Sequence, residues 1–164
     1  MATQPCLCGF YGDPKRECHS TPRQIQNYIS KISGPLLDRI DIHVEVPNVQ
    51  YKDLTSDATC ESSEEIREEV TKARDTQLKR FQGLKYSTNS RMSAKTIKKH
   101  CSLDSQAEEL LHQAMTELNI SARGYNKILK VGRTIADLDH SENVCIEHIS
   151  EAVQYRNLDR DLWK

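Results

Sequence analysis

Along most of the chain, apolar residues recur every three or four positions, the spacing of one face of an α-helix. Ile25, Tyr28, Ile29 and Ile32 form the first such set. Thr21-Pro22-Arg23-Gln24 precedes it with the chemistry of a capping box: Thr21 accepts from the N3 amide, Pro22 suits N1, and Gln24 reaches back to the cap. Ser33-Gly34-Pro35 ends this helix, because Gly suits the C-terminal turn and Pro blocks continuation. Leu36-Leu37-Asp38-Arg39 reads as a turn. From Ile40 to Val46 the period changes to two, as in a strand with one buried face, and Pro47 closes it. A lone strand is not stable by itself, and no second convincing one follows. This points to a fragment of something larger.

A polar connection begins at Tyr51, and everything after it reads as helices. Ser62 with Glu65 makes a second capping box, and Ile66, Val70, Ala73, Leu78 and Phe81 trace one face. Ser93 caps a short helix through Ile97. Ser105 and Glu108 form a third capping box before Leu110, Leu111, Ala114, Met115 and Leu118. Ser121 caps a helix whose core face is Tyr125, Ile128, Leu129, Gly132, Ile135 and Ala136. Ile146, Ile149, Ala152 and Val153 mark the last. The expected fold is mainly α. A helical bundle over residues 61–160 follows a linker at 51–60 and an N-terminal segment, 1–50, with a single clear strand.

Composition narrows the function classes. Hydrophobic residues are 37% of the chain and charged residues 29%, enough for a modest core and too little apolar content for a membrane protein. The start has no basic stretch leading into an apolar one, so a cytoplasmic location is expected. A net charge of -1 argues against a large non-specific nucleic-acid footprint while leaving room for a local basic patch. The six cysteines do not form the framework of a small secreted domain. Cys60, Cys101 and Cys145 read as ordinary thiols; Cys6, Cys8 and Cys18 cluster near the N-terminus. The sequence has no G-x-x-x-x-G-K-[ST] loop and no strand ending in paired acids, so phosphoryl transfer has no machinery in this chain alone.

Two stretches stand out: Ser33-Gly34-Pro35-Leu36-Leu37-Asp38-Arg39-Ile40-Asp41, and Ser121-Ala122-Arg123-Gly124-Tyr125 continuing through Ile128 to Leu138. With the ending His148 to Arg156, these resemble the magnesium-chelatase-like branch of the AAA+ ATPases, in particular the bacterial ComM/YifB-type competence proteins. The resemblance runs from about Gln4 to Arg160. It implies that residues 1–50 end an α/β AAA+ core and that 61–160 are its helical lid. It also implies ATP and Mg2+ as cofactors of the parent protein, neighbouring subunits of a homo-oligomeric ring as partners, DNA as a client, and no membrane. The magnesium-chelatase side of the resemblance suggests metal insertion into a porphyrin instead.

In that family the arginine of G-P-x-L-D-R-x-D is an arginine finger acting in trans, a role falling on Arg39. The arginine of S-A-R is a sensor-2 residue contacting nucleotide from the lid, a role falling on Arg123 and expected to serve its own polypeptide's nucleotide. A guanidinium offers planar, always-charged donors to a phosphate whose charge develops in the transition state. Arg123 occupies the first turn of a helix, where the dipole disfavours a cation unless an anion binds nearby. From spacing alone both arginines read instead as surface ion-pair partners, worth about 0–1 kcal/mol. Gln4, before Pro5, occupies the family's sensor-1 position, where relatives carry Asn.

Cys6-x-Cys8 followed by Cys18 offers three thiolates, and relatives carry C-x-C…C-x-C here. Tetrahedral zinc wants four N or S ligands; Ser20 holds the fourth position, with His19 the adjacent substitute. Lys127, Lys130 and Arg133 form a cationic stripe open to two readings, a DNA contact or a solvated face. The competing reading of the whole chain is a non-enzymatic helical binding module with a zinc-binding Cys loop.

Overall fold

Hydroxyl and carboxylate residues set the starts of most helices in the structure, a computed structural model that describes residues 2–46 and 61–156. Helix α1, Pro22–Ile29, opens with the expected capping box on Thr21. Helix α2 is a single turn, Gly34–Leu37. Helix α3, Ser63–Arg80, carries the second capping box, Ser62 with Glu65. A 3-10 turn at Asn89–Arg91 leads to α4, Ala94–His100, capped by Ser93 and running one turn beyond the expected end. Helices α5, Ser105–Glu117, α6, Ala122–Leu138, and α7, Ile146–Gln154, complete the order. The third capping box is not formed. Asp104 caps α5 instead, its carboxylate accepting from the Ala107 amide at 2.8 Å. Asp104 and Ser105 both suit an N-cap, and the ionised acceptor comes first in the chain.

Helix α6 is the axis of the bundle: α7, α3, α4 and the 3-10 turn pack against it, and α5 packs on α7. Ile128, Leu129 and Ala136 of α6 meet Leu111 of α5 and Ile149 and Ala152 of α7 in a continuous core, joined by Phe81, Ile97 and Val144. Gly132 brings α6 and α7 together, since a Cβ there would stand 2.9 Å from Ile149 Cδ1. Gly132→Val should therefore cost about 1–3 kcal/mol by overpacking, read as a lower midpoint in urea unfolding. Gly132→Ala should cost less, because only the mobile tip of Ile149 must move.

Two expectations are corrected. Of the expected face of α3, Ala73 and the adjoining Phe81 are buried, together with Gln77, but Ile66, Val70 and Leu78 are each about half exposed and do not face the core. The first turns of α3 are exposed on every side, so an apolar spacing there meets no partner among the described residues. The strand Ile40–Val46 is also absent. No strand occurs among the described residues; there is one isolated bridge, Leu103 to Val144. The contacts that hold the segment include bonds to the residues just after α7: the His43 amide donates to the Tyr155 carbonyl at 2.8 Å, and Arg156 Nη1 donates to the Ile40 carbonyl at 2.7 Å. Ile42, Val44 and Val46 remain exposed. Alternation gives a segment two faces but supplies no hydrogen-bonding neighbour. The expected linker at 51–60, the stop at Pro47 and the chain beyond residue 156 lie outside the described residues.

Candidate nucleotide-sensing and metal-binding sites

Helix α2 ends at Leu37, which is buried, and this fixes the two residues that follow. Arg39 is exposed and makes no side-chain hydrogen bond or ion pair among the described residues. Asp38, next to it, turns toward the start of α6. Its carboxylate accepts from Ser121 Oγ at 3.0 Å and pairs with Arg123 Nη1 at 3.1 Å. Ser121 Oγ in turn accepts the Gly124 amide at 3.1 Å, so one hydroxyl joins the helix cap to the carboxylate. Arg156, buried, lies 3.9 Å from Oδ1 of Asp38, the oxygen that accepts from Ser121. Lys127 pairs with Asp41 at 2.6 Å. The anion that a first-turn arginine asks for is here a side chain of the chain itself. The Asp38–Arg123 pair is exposed on the arginine side, so it contributes about 0–1 kcal/mol and is easily exchanged.

The cationic stripe does not form as a surface. Arg133 is 3% exposed and faces inward. Its Nε donates to Asp137 at 3.1 Å, and its two terminal nitrogens donate to the carbonyls of Glu142 and Ser141 at 2.7 and 2.6 Å. A seventeen-residue helix turns far enough that a residue ten places past Arg123 falls on the packed side. Lys130 is half-buried and bonded to the Ser90 carbonyl at 2.9 Å.

The N-terminal loop brings Cys6, Cys8 and Cys18 together. Their sulfurs lie 3.2, 3.7 and 3.5 Å apart, and all three are free thiols. Tetrahedral zinc, with sulfurs at about 2.3 Å, holds its ligands about 3.8 Å apart, so three corners of such a site are nearly in place. Positive φ at Gly9 and Gly12 lets the loop fold back over this short span. The Ser20 hydroxyl faces Cys8. Its hydrogen bond, followed by the Phe10 amide and the Cys6 thiol, pulls the Cys8 thiol down to about 5. His19 is exposed and offers no ligand atom to the cluster. Gln4 is exposed, its amide oxygen lying over Gly9.

One polar group escaped the sequence reading. His148 is buried at the start of α7; its Nδ1 accepts the Cys145 amide at 2.9 Å, and Nε2 meets Asp139 at 3.2 Å. The histidine takes the N3 place that Glu or Gln fills in a capping box, and that spacing was the available signal.

No helix among the described residues is long and apolar enough to cross a membrane. Two adjoining family models match. Residues 60–156 fit the one described as magnesium chelatase, subunit ChlI C-terminal, and residues 1–54 fit the one described as magnesium chelatase, subunit ChlI. Competence protein ComM of Haemophilus influenzae is 37% identical over 99% of this chain and 31% of its own length. An uncharacterized protein YifB is 35% identical in Escherichia coli and 34% in Salmonella typhimurium, each over 97% of this chain and 30% of the relative. The chain thus spans less than a third of these relatives. It belongs to the magnesium chelatase ChlI family, as the C-terminal region of a ChlI-like protein, and most of this chain is homologous to ComM and YifB.

Proposed function

We propose that this chain is the nucleotide-responsive end of a ring ATPase, supplying arginines to an ATP site whose phosphate loop lies elsewhere in the parent protein. The observation that carries the reading is the placement of Arg39. It is exposed and unpaired among the described residues, and its neighbour Asp38 holds Arg123. A guanidinium left without a partner on a rigid turn is suited to an anion brought by another molecule. Because Asp38 joins the α2 turn to the start of α6, both arginines belong to one surface patch. They then serve the same nucleotide, that of the adjacent subunit. This is an alternative to the expectation that Arg123 acts on its own polypeptide's nucleotide. ATP and Mg2+ are the cofactors, and neighbouring copies in the ring are the partners. DNA as the client fits the similarity to a protein named for competence.

Joining the chain to an upstream ATP-binding region of its family tests this directly. The expected product is an ATP-dependent oligomer that hydrolyses ATP; a protein that stays monomeric and inert would sink the proposal.

The three converging thiols favour a second component, a structural zinc held by Cys6, Cys8 and Cys18 with a water or Ser20 at the fourth corner. Bound there, the metal would pin the loop ahead of α1. Protein purified without chelator should carry one zinc per chain by elemental analysis, and Cys18→Ser should lose it. Zinc retained at full stoichiometry in Cys18→Ser would exclude this ligand set. Were the joined protein inert but zinc-loaded, the chain would be a helical binding module.

A further inference from the structure

At the end of the bundle away from Asp38, the C-termini of α3, α4 and α6 meet the loop before α7 around an open cleft of about 520 Å³. Arg80, Lys99 and Arg133 line it, with His100 and His140; the carboxylates are Asp137 and Glu142, and Ser102 and Thr76 add hydroxyls. Asp137 is shared by the two arginines. Each guanidinium has five N–H donors. Arg80 donates to Asn89 and to both oxygens of Asp137, and Arg133 to Asp137, Glu142 and Ser141, so neither fork is exhausted. The positions of both guanidiniums are fixed by these bonds, so a ligand would meet cations already in place.

We propose that this cleft binds a phosphate-class oxyanion, with Lys99 and His100 as its accessible ligands and Arg80 and Arg133 as its fixed floor. The arrangement needs no nucleotide role for Arg39 or Arg123. His100 reports on the site. Its ring lies edge-on to Phe81, and desolvation, Lys99, Arg80 and Arg133 depress its basicity in that order. Asp137, Glu142 and His140 are the other titratable groups on the cleft. An oxyanion would offset the cations and raise the His100 pKa, so binding tightens as pH falls through the histidine range.

The test is NMR titration of the 164-residue chain with sulfate, whose charge is constant across that range, and then with inorganic phosphate. Saturable shifts are expected at Lys99, His100, Ser102 and Ser141, with a higher His100 pKa in the bound state. Lys99→Glu, an exposed change whose folding is checked by circular dichroism, should weaken binding about tenfold or more, since it turns an attraction into a repulsion. A single-stranded oligonucleotide displacing sulfate at lower concentration than phosphate assigns the ligand to a nucleic-acid phosphodiester; the reverse order assigns it to free phosphate. Shifts that never saturate, or equal affinity in Lys99→Glu, would overturn the proposal.

Discussion

Asp137→Ala is expected to destabilise the helical bundle by about 3–5 kcal/mol, the usual cost of removing one partner from a buried ionic network. Asp137 is 1% exposed and receives four charge-assisted or amide donors: a fork from Arg80, Nε of Arg133 at 3.1 Å, and Asn89 Nδ2 at 2.7 Å. Removing the carboxylate leaves two guanidiniums side by side, one of them buried, with their shared counter-charge gone. The network also ties α3 to α6 across 57 residues of chain, and through Asn89 it holds the 3-10 turn. Urea unfolding followed by circular dichroism should show the loss as a lower midpoint. Asp137→Asn, which keeps an acceptor but not the charge, should lose less than Asp137→Ala. A second comparison separates charge from packing: combining Asp137→Leu with Arg80→Met and Arg133→Met should recover much of the loss, since an apolar replacement removes the desolvation penalty of all three groups. An Asp137→Ala protein as stable as the parent would show that this network does not hold the bundle.

Arg39→Ala should lower ATP turnover in the assembled full-length protein by about 10³-fold or more, the range that arginine fingers supply in phosphoryl transfer. Stability should barely change, because Arg39 is exposed and unpaired among the described residues. Arg39→Lys should not restore the rate, since an ammonium lacks the planar fork. Mixed assemblies locate the site: subunits carrying Arg39→Ala but an intact phosphate loop should be rescued by neighbours with Arg39 and a dead loop. If Arg123 serves the same nucleotide, Arg123→Ala should follow the same rescue pattern; rescue failing for Arg123 alone would place it on its own subunit's nucleotide. Unchanged turnover in Arg39→Ala would remove Arg39 from the mechanism.

Much of this was legible from local sequence. Thr21, Ser62, Ser93 and Ser121 each cap the helix their position announces, because an N-cap is decided by a side chain and amides two or three residues away. The apolar faces of α5, α6 and α7 were read correctly in their main positions, Leu111, Ile128, Leu129 and Ile149 among them. The three thiols could be nominated from spacing, and the two motif arginines from resemblance.

What the sequence could not assign was the destination of each exposed or charged face. Arg133 carries the same charge as Lys130 three residues before it, and nothing local tells that one ends in a buried network and the other on a surface carbonyl. Ile66 and Val70 have helical spacing, yet both are about half exposed. Ile40–Val46 alternates as a strand does, but pairing needs a neighbour that the described chain does not supply. The link from Asp38 to Arg123 spans 85 residues and depends on where α2 and α6 come to rest. By itself, then, the sequence determined the helices, their caps and the residues able to carry charge or metal, because those depend on contacts within a few positions. Only the tertiary structure decided which cations are buried, which are tied to a carboxylate and which are left open, because a charge takes its role from whatever the fold places beside it.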